Sequence, residues 1–187
     1  MRPMVSDHDG ALYTVVIPTL VADPYLLEAL RSVKRQTLPP NRVLVVVNGP
    51  MKGIDRLREQ VEKLFPRFEV RHSGSEGMIS SLVEGIKKTQ TPYVAFLDAD
   101  DIWLPGKQQK QLGRLSTSLE LHAIYGRVRN FHQVDSTAEL KALPALEARV
   151  FSATTFRTDC FEKFGLPDTA ATHHTWLYRW WHQAVQM

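Results

Sequence analysis

The chain has 187 residues, of which 43% are hydrophobic and 23% charged, and its formal net charge is +3. These values indicate one folded domain with its own core, and they exclude a disordered or low-complexity chain. The single cysteine, Cys160, excludes a disulfide framework and a cysteine-based metal site, and it suits a reducing compartment.

Neither a membrane span nor a nucleic-acid surface is indicated. No apolar run approaches about 18 residues, and residues 1–10 form a polar lead without the apolar segment of a secretory signal. Lys and Arg are scattered over the polar faces of predicted helices, which favours a solvated surface over binding to nucleic acid. We therefore expect a cytoplasmic protein without a transmembrane segment.

The first half of the chain alternates between apolar strands and amphipathic helices. Apolar residues at helical spacing predict a helix after each of the first three strands, and we expect Asp23 to cap the first helix. Buried strands are predicted at 13–18, 42–47, 68–72 and 93–97. This alternation is typical of a mostly parallel α/β sheet with helices on both faces, in which the carboxyl ends of the parallel strands meet at one edge.

The pattern is less regular in the second half. Residues 121–133 are expected to form two strands that meet at Gly126 and extend the sheet in antiparallel fashion, whereas residues 134–147 are predicted to form a loop. Asp159, with Glu162 three residues later, predicts a short helix with a capping box. Residues 173–187 carry three tryptophans at near-helical spacing, which favours an amphipathic helix that packs on the domain.

Three acidic residues follow the fourth predicted strand: Asp98, Asp100 and Asp101. Carboxylates crowded at the end of a buried strand repel one another, so a cation would stabilise their charged form. Oxygen ligands suit Mg²⁺ or Mn²⁺, which proteins often hold through one or two carboxylates and the phosphates of a substrate. The alternative is a solvated turn that begins the next helix. No glycine-rich phosphate or dinucleotide motif follows any strand.

Several stretches resemble family 2 glycosyltransferases, over most of the chain from residue 13 to residue 165. In one-letter code they are VVIPT at 15–19, ALRSVKRQT at 29–37, VVVNGP at 45–50 and FLDADDIWLP at 96–105. Gly85-Ile86 and the segment from Phe156 to Gly165 also match the pattern of the family. Each motif is short, but together they are specific.

The resemblance implies a GT-A fold, a nucleotide-diphosphate sugar donor, a divalent metal (Mn²⁺ or Mg²⁺) and inversion at the anomeric carbon. By position in the motifs, Pro18 and Thr19 would line the site for the base and ribose, and Asn48 would meet the edge of the nucleobase. Asp98 would contact the ribose or the water shell of the metal, and Asp100 would ligate the metal.

The general base departs from the family pattern. The family usually places a pair of carboxylates six or seven residues before an arginine in its last helix, whereas Thr172 and His173 occupy these positions before Arg179. Either His173 or its neighbour His174 would accept the proton, or Asp168 would do so through a shifted register. The alternative is that these histidines are surface residues at the start of a helix.

The whole chain is predicted to be one domain, with a nucleotide-sugar-binding half at 11–105 and an acceptor-side half at 106–187. The leading hypothesis is transfer of a sugar to the hydroxyl of a saccharide or lipid-linked acceptor, with peripheral contact to a membrane left open, as is the oligomeric state. A sugar nucleotidyltransferase, an aspartate-nucleophile phosphatase and a non-catalytic nucleotide or sugar binder are the alternatives. Trp103 has two interpretations, stacking on a sugar or base and packing in the core.

Overall fold

The structure, a computed structural model, describes residues 12–133, 140–142, 144–147 and 150–169. The first part consists of β1 (Tyr13–Thr19), α1 (Leu26–Lys34), β2 (Arg42–Val47), α2 (Ile54–Leu64), β3 (Phe68–His72), α3 (Met78–Lys88) and β4 (Tyr93–Phe96). The second part consists of α4 (Lys107–Thr117), β5 (Ala123–Tyr125), β6 (Arg127–Val128), β7 (Phe131–Gln133), β8 (Leu140–Ala142), β9 (Leu146–Glu147), a 3₁₀ turn (Phe151–Ala153), β10 (Thr154–Arg157) and α5 (Cys160–Phe164).

Six strands form the central sheet in the order β3-β2-β1-β4-β10-β5. The first four run parallel, and their carboxyl ends therefore meet at one edge, whereas β10 runs antiparallel to both β4 and β5. The predicted mostly parallel α/β sheet is confirmed. The parallel strands are nearly continuous apolar runs because helices cover them on both faces.

The core consists of two layers, one on each face of the sheet. Tyr13, Val15 and Ile17 of β1 face the layer that α1, α2 and α4 cover. Val16 faces the opposite layer, which α3 and α5 cover. Successive side chains of a strand point to opposite faces, so a fully buried strand such as β1 contributes to both layers.

Four details differ from the sequence-based expectations. Of the two strands predicted around Gly126, the first extends the sheet as β5, antiparallel to β10, whereas the second divides into β6 and β7, which pair with β9 and β8 outside the sheet. The predicted loop at 134–147 contains the short strands β8 and β9. The side chain of Asp159 does not cap α5. Asp23 does not cap α1, which begins at Leu26, although its Oδ1 accepts a hydrogen bond from the Tyr25 N–H at 2.9 Å.

None of the helices that the structure describes is long and apolar enough to cross a bilayer. The predicted helix at 173–187 lies outside the described residues, and so does His173. The division into a nucleotide-sugar-binding half and an acceptor-side half stays a prediction.

Candidate functional site

The acid cluster begins where β4 ends. The Leu97 N–H donates to the Val16 carbonyl oxygen at 3.1 Å, which extends the pairing of β4 with β1 by one residue before the chain leaves the sheet. The Asp101 N–H then donates to the Asp98 carbonyl oxygen at 3.1 Å, which closes a turn. Asp98 is partly buried in this turn, while Asp100 and Asp101 are exposed.

Burial and neighbouring charges perturb the carboxyl group of Asp98. Its burial, and then the negative charges of Asp101 and Asp100, raise the pKa of Asp98 to about 6. The pKa of Asp101 is raised as well, first by burial and also by Asp100. Hydrogen bonding from Ser152 opposes both shifts. Oδ1 of Asp98 is buried and has no hydrogen-bond partner in the described part of the chain.

Two serines from distant parts of the chain hold the backbone of the acidic loop. The Asp98 N–H donates to Ser152 Oγ at 2.6 Å, and the Trp103 N–H donates to Ser32 Oγ of α1 at 3.1 Å. The indole Nε1–H of Trp103 donates to the Ser152 carbonyl oxygen at 2.7 Å. Trp103 thus connects α1 to the 3₁₀ turn at 151–153. Hydrogen bonds therefore fix the backbone of the acidic loop at both ends, at Asp98 and at Trp103.

Trp103 therefore packs in the core rather than presenting its ring for stacking on a ligand. Only 5% of its surface is exposed. Nζ of Lys107 lies 4.0 Å from the ring centroid and donates to Gln111 Oε1 at 2.9 Å, so one face of the indole is already occupied. Of the two interpretations of this residue, packing is correct.

The end of α1 supports the chain just after the acids. Nε2 of the buried Gln36 donates to the Leu104 carbonyl oxygen at 2.9 Å, and its Oε1 accepts from the Gln108 N–H at 3.1 Å. The Thr37 N–H donates to the Pro105 carbonyl oxygen at 2.9 Å. Buried polar groups need such partners, so α1 and the segment at 104–108 form one unit.

The predicted donor residues lie at the same edge of the sheet. Pro18 and Thr19 end β1 and are buried, with Thr19 4% exposed. Asn48 follows β2, and both its backbone N–H and its Nδ2 donate to the Thr19 carbonyl oxygen, at 3.0 and 3.2 Å. The amide nitrogen of Asn48 thus ties two strand ends together.

His72, at the end of β3, connects the two loops beside Asn48. The Gly74 N–H donates to its Nδ1 at 3.0 Å, so Nδ1 is unprotonated. Nε2 then carries the ring proton and donates to the Gly49 carbonyl oxygen at 2.8 Å. These contacts hold the loops that follow β2 and β3 against each other.

A cation fits the chemistry of the acidic loop. No three His, Cys, Asp or Glu side chains form a ready metal cage among the described residues. The acidic loop instead offers a few carboxylates, one of which has an unpartnered oxygen. Mg²⁺ and Mn²⁺ are commonly bound in this way, through few protein ligands and the phosphates of a substrate. Asp98 and Asp100 are the side chains that would hold it.

The general base is the least defined part of the site. Asp168 is exposed and lies four residues beyond the end of α5. His173 lies outside the described residues, so the choice between these two residues stays a prediction.

Sequence reasoning missed Ser32, Gln36, His72 and Ser152. Ser32 and Gln36 lie within the stretch at 29–37 that carries the family resemblance, and for Ser32 a polar residue on the buried face of a helix was a usable signal. Nothing in the local sequence marks Ser152, which meets Asp98 only through the fold.

A model of the glycosyl transferase family 2 matches residues 14–179. The chain belongs to this family. Among its relatives, an uncharacterised glycosyltransferase of Rickettsia bellii is 29% identical over 78% of this chain and 20% of its own length. A putative teichuronic acid biosynthesis glycosyltransferase of Bacillus subtilis, TuaG, is 30% identical over 54% of this chain and 40% of its own. The chain thus spans less than half the length of these relatives.

Two solved structures share the fold. TarS of S. aureus (residues 1–349), in complex with UDP, superposes with a TM-score of 0.69 at 14% identity and covers 93% of this chain and 55% of its own. The mannosyltransferase PcManGT of Pyrobaculum calidifontis, with GDP-Man and Mn²⁺, has a TM-score of 0.65 at 16% identity and covers 86% and 48%. The predicted GT-A fold is confirmed.

Proposed function

We propose that this chain is a glycosyltransferase domain that moves a sugar from a nucleotide-diphosphate donor to an acceptor hydroxyl with inversion. The observation that carries the proposal is the buried, unpartnered Oδ1 of Asp98 at the carboxyl edge of a parallel sheet, within a family 2 fold. Ligands of open α/β sheets bind at that edge. The complexes of TarS with UDP and of PcManGT with GDP-Man support a nucleotide-sugar donor.

Each residue of the edge has a role in this proposal. Pro18 and Thr19 line the site for the base and ribose, and the amide of Asn48 presents its oxygen to the base, because its nitrogen is engaged with Thr19. Asp98 orients the ribose or the water shell of the metal, and Asp100 binds the cation directly. When bound, Mn²⁺ or Mg²⁺ supplies charge neutralisation as the nucleoside diphosphate leaves.

The acceptor hydroxyl must lose a proton as it attacks the anomeric carbon. We propose that His173 or Asp168 accepts this proton. A positioned general base raises the rate by about 10² to 10⁴. Replacing the true base lowers kcat by that factor and leaves donor affinity unchanged. If neither His173→Ala nor Asp168→Asn lowers kcat, both assignments are wrong.

The name of TuaG assigns that relative to teichuronic acid biosynthesis. We propose polysaccharide or glycolipid assembly in the cytoplasm, with a saccharide or lipid-linked acceptor and with peripheral contact to a membrane where that acceptor is membrane-borne.

The donor site is tested by thermal unfolding with UDP or GDP, with and without Mn²⁺. A ligand that binds only the folded state raises the unfolding temperature, so we expect stabilisation by the nucleotide that is larger with Mn²⁺. Asp100→Ala should abolish the metal-dependent part. Asp159→Ala is the matched control, because β10 runs antiparallel to β4 and Asp159 follows its end at the opposite edge of the sheet.

If nucleotide still stabilises Asp100→Ala more with Mn²⁺ than without it, the assignment of Asp100 as a metal ligand is wrong. Nucleotide binding without donor hydrolysis or transfer would favour a binder that has lost its base over an enzyme.

A further inference from the structure

Ser152 contacts the acid cluster from a distant part of the chain. It lies in the 3₁₀ turn at 151–153, directly before β10, and is 4% exposed. Its Oγ accepts the Asp98 N–H at 2.6 Å, and its hydroxyl acts to lower the pKa of the Asp98 and Asp101 carboxyl groups. One side chain thus holds the backbone of the cluster and affects the pKa of two of its carboxyl groups.

The antiparallel register of β10 explains this contact. Thr155 pairs with Ala95. Ser152 stands three residues before Thr155 and Asp98 three residues after Ala95, so the register brings the two residues opposite each other. The strand that follows Ser152 therefore begins at the edge where β4 ends.

Ser152 is itself held firmly. Its carbonyl oxygen accepts the indole N–H of Trp103 at 2.7 Å. The next carbonyl oxygen, that of Ala153, accepts the Gly126 N–H at 2.9 Å and Nε2 of Gln111 at 2.8 Å. Bonds from three separate segments leave the hydroxyl little freedom to move away from Asp98.

We propose that Ser152 is a positioning residue for the cation site, which fixes the start of the acidic turn so that the carboxylate of Asp98 faces the position that Mn²⁺ or Mg²⁺ takes. This proposal rests on the proposed function. Oδ1 of Asp98 has no hydrogen-bond partner in the described part of the chain, so it stays available to the cation shell while Ser152 holds the backbone of the same residue. Hydrogen bonds from such outer groups typically change metal affinity by about 10 to 100-fold.

A purely structural role makes a different prediction. If Ser152 only satisfies the buried Asp98 N–H, its removal lowers stability and leaves the affinity for metal unchanged in the molecules that remain folded. Metal affinity measured well below the unfolding temperature therefore separates the two roles.

The experiment measures Mn²⁺ affinity by electron paramagnetic resonance of free Mn²⁺, in the presence of whichever of UDP and GDP the wild type binds. We expect Ser152→Ala to weaken Mn²⁺ binding by about 10-fold or more, with nucleotide affinity in the absence of metal unchanged. Ser152→Cys is slightly larger and has a thiol that is a weaker donor and acceptor than the hydroxyl, and it should also weaken Mn²⁺ binding if Ser152→Ala does not fold.

Thr155→Ala is the matched control. Thr155 is a buried hydroxyl of β10 that bonds to Gln111 Oε1 at 2.7 Å rather than to an acid. We expect this variant to lose stability and to keep its Mn²⁺ affinity. If both Ser152 variants bind Mn²⁺ as tightly as the wild type, or if Thr155→Ala loses as much Mn²⁺ affinity as they do, this inference is wrong and the proposed function still stands. A wild type that binds neither nucleotide with Mn²⁺ overturns the proposed function, and this inference with it.

Discussion

Gly85 is the point where α3 comes closest to the sheet, and its substitution by alanine tests the packing that positions the site. A Cβ at this residue would lie 2.2 Å from Cγ1 of Val16, 2.8 Å from Cγ2 and 3.1 Å from Cβ. Rotation of the valine side chain would only exchange one methyl group for the other, since Val16 is branched at Cβ. Val16 is fully buried in β1, which pairs with strands on both sides, so its backbone cannot move away.

Two opposing effects set the magnitude for Gly85→Ala. Alanine is favoured over glycine inside a helix by about 1 kcal/mol. Extra volume in a closely packed core costs about 1 to 3 kcal/mol, and a 2.2 Å approach belongs at the upper end. The steric effect should win, which lowers the free energy of unfolding by about 2 kcal/mol. For a chain of this length, that is a fall of about 4 to 8 °C in the unfolding temperature.

Gly113 provides the matched control, because it also lies inside an eleven-residue helix, α4, but an added Cβ there meets nothing within 4 Å. Gly113→Ala should raise the free energy of unfolding by about 0.5 to 1 kcal/mol. Chemical denaturation followed by circular dichroism measures both variants. If Gly85→Ala proves as stable as Gly113→Ala, the close approach of α3 to β1 is wrong. The combined loss in Gly85→Ala with Val16→Ala should be smaller than the sum of the two single losses, as expected for two residues in contact.

The other predictions concern the acid cluster. Because the folded pKa of Asp98 is about 6 and its ordinary value is 3.8, the folded state binds more protons between these values. The metal-free protein should therefore lose stability as pH rises from about 4 to about 6, by at most about 3 kcal/mol, and Asp98→Asn should remove most of that loss. Stabilisation by Mn²⁺ with nucleotide should grow over the same range, since the cation binds the carboxylate. A flat stability profile in wild type would refute the assigned burial of Asp98. Trp103→Phe leaves the Ser152 carbonyl oxygen without its 2.7 Å donor and should lower the free energy of unfolding by about 1 to 3 kcal/mol in denaturant titrations; an unchanged value would show that this hydrogen bond contributes little.

Local patterns in the sequence were sufficient for the parallel part of the fold. The strands at 42–47 and 68–72 have the boundaries that apolar runs predict, and the sheet follows from their alternation with amphipathic helices. The position of the acids was predictable for the same reason, because parallel strands joined by right-handed crossovers end at one edge. The family resemblance then assigned roles to Asp98 and Asp100, which stay predictions.

Local patterns failed where short segments pair over long distances. Residues 140–142 and 146–147 form two-stranded ladders with segments near residue 130. These segments are too short to show the alternation of apolar and polar residues that predicts a strand. Asp159 fits a capping box by sequence, yet its side chain caps nothing in the short helix that follows. In such segments, tertiary contacts override local preference.

The sequence alone determined that apolar strands alternate with helices and that three carboxylates follow one of these strands, because both features depend on neighbours a few residues apart. Only the tertiary structure decided what surrounds the carboxylates. Ser152 stands opposite Asp98 because β10 runs antiparallel to β4, and Trp103 is buried where Ser32 and Ser152 accept hydrogen bonds from its two N–H groups. Such contacts join residues 49 to 71 positions apart, and no short-range pattern encodes a register over that distance.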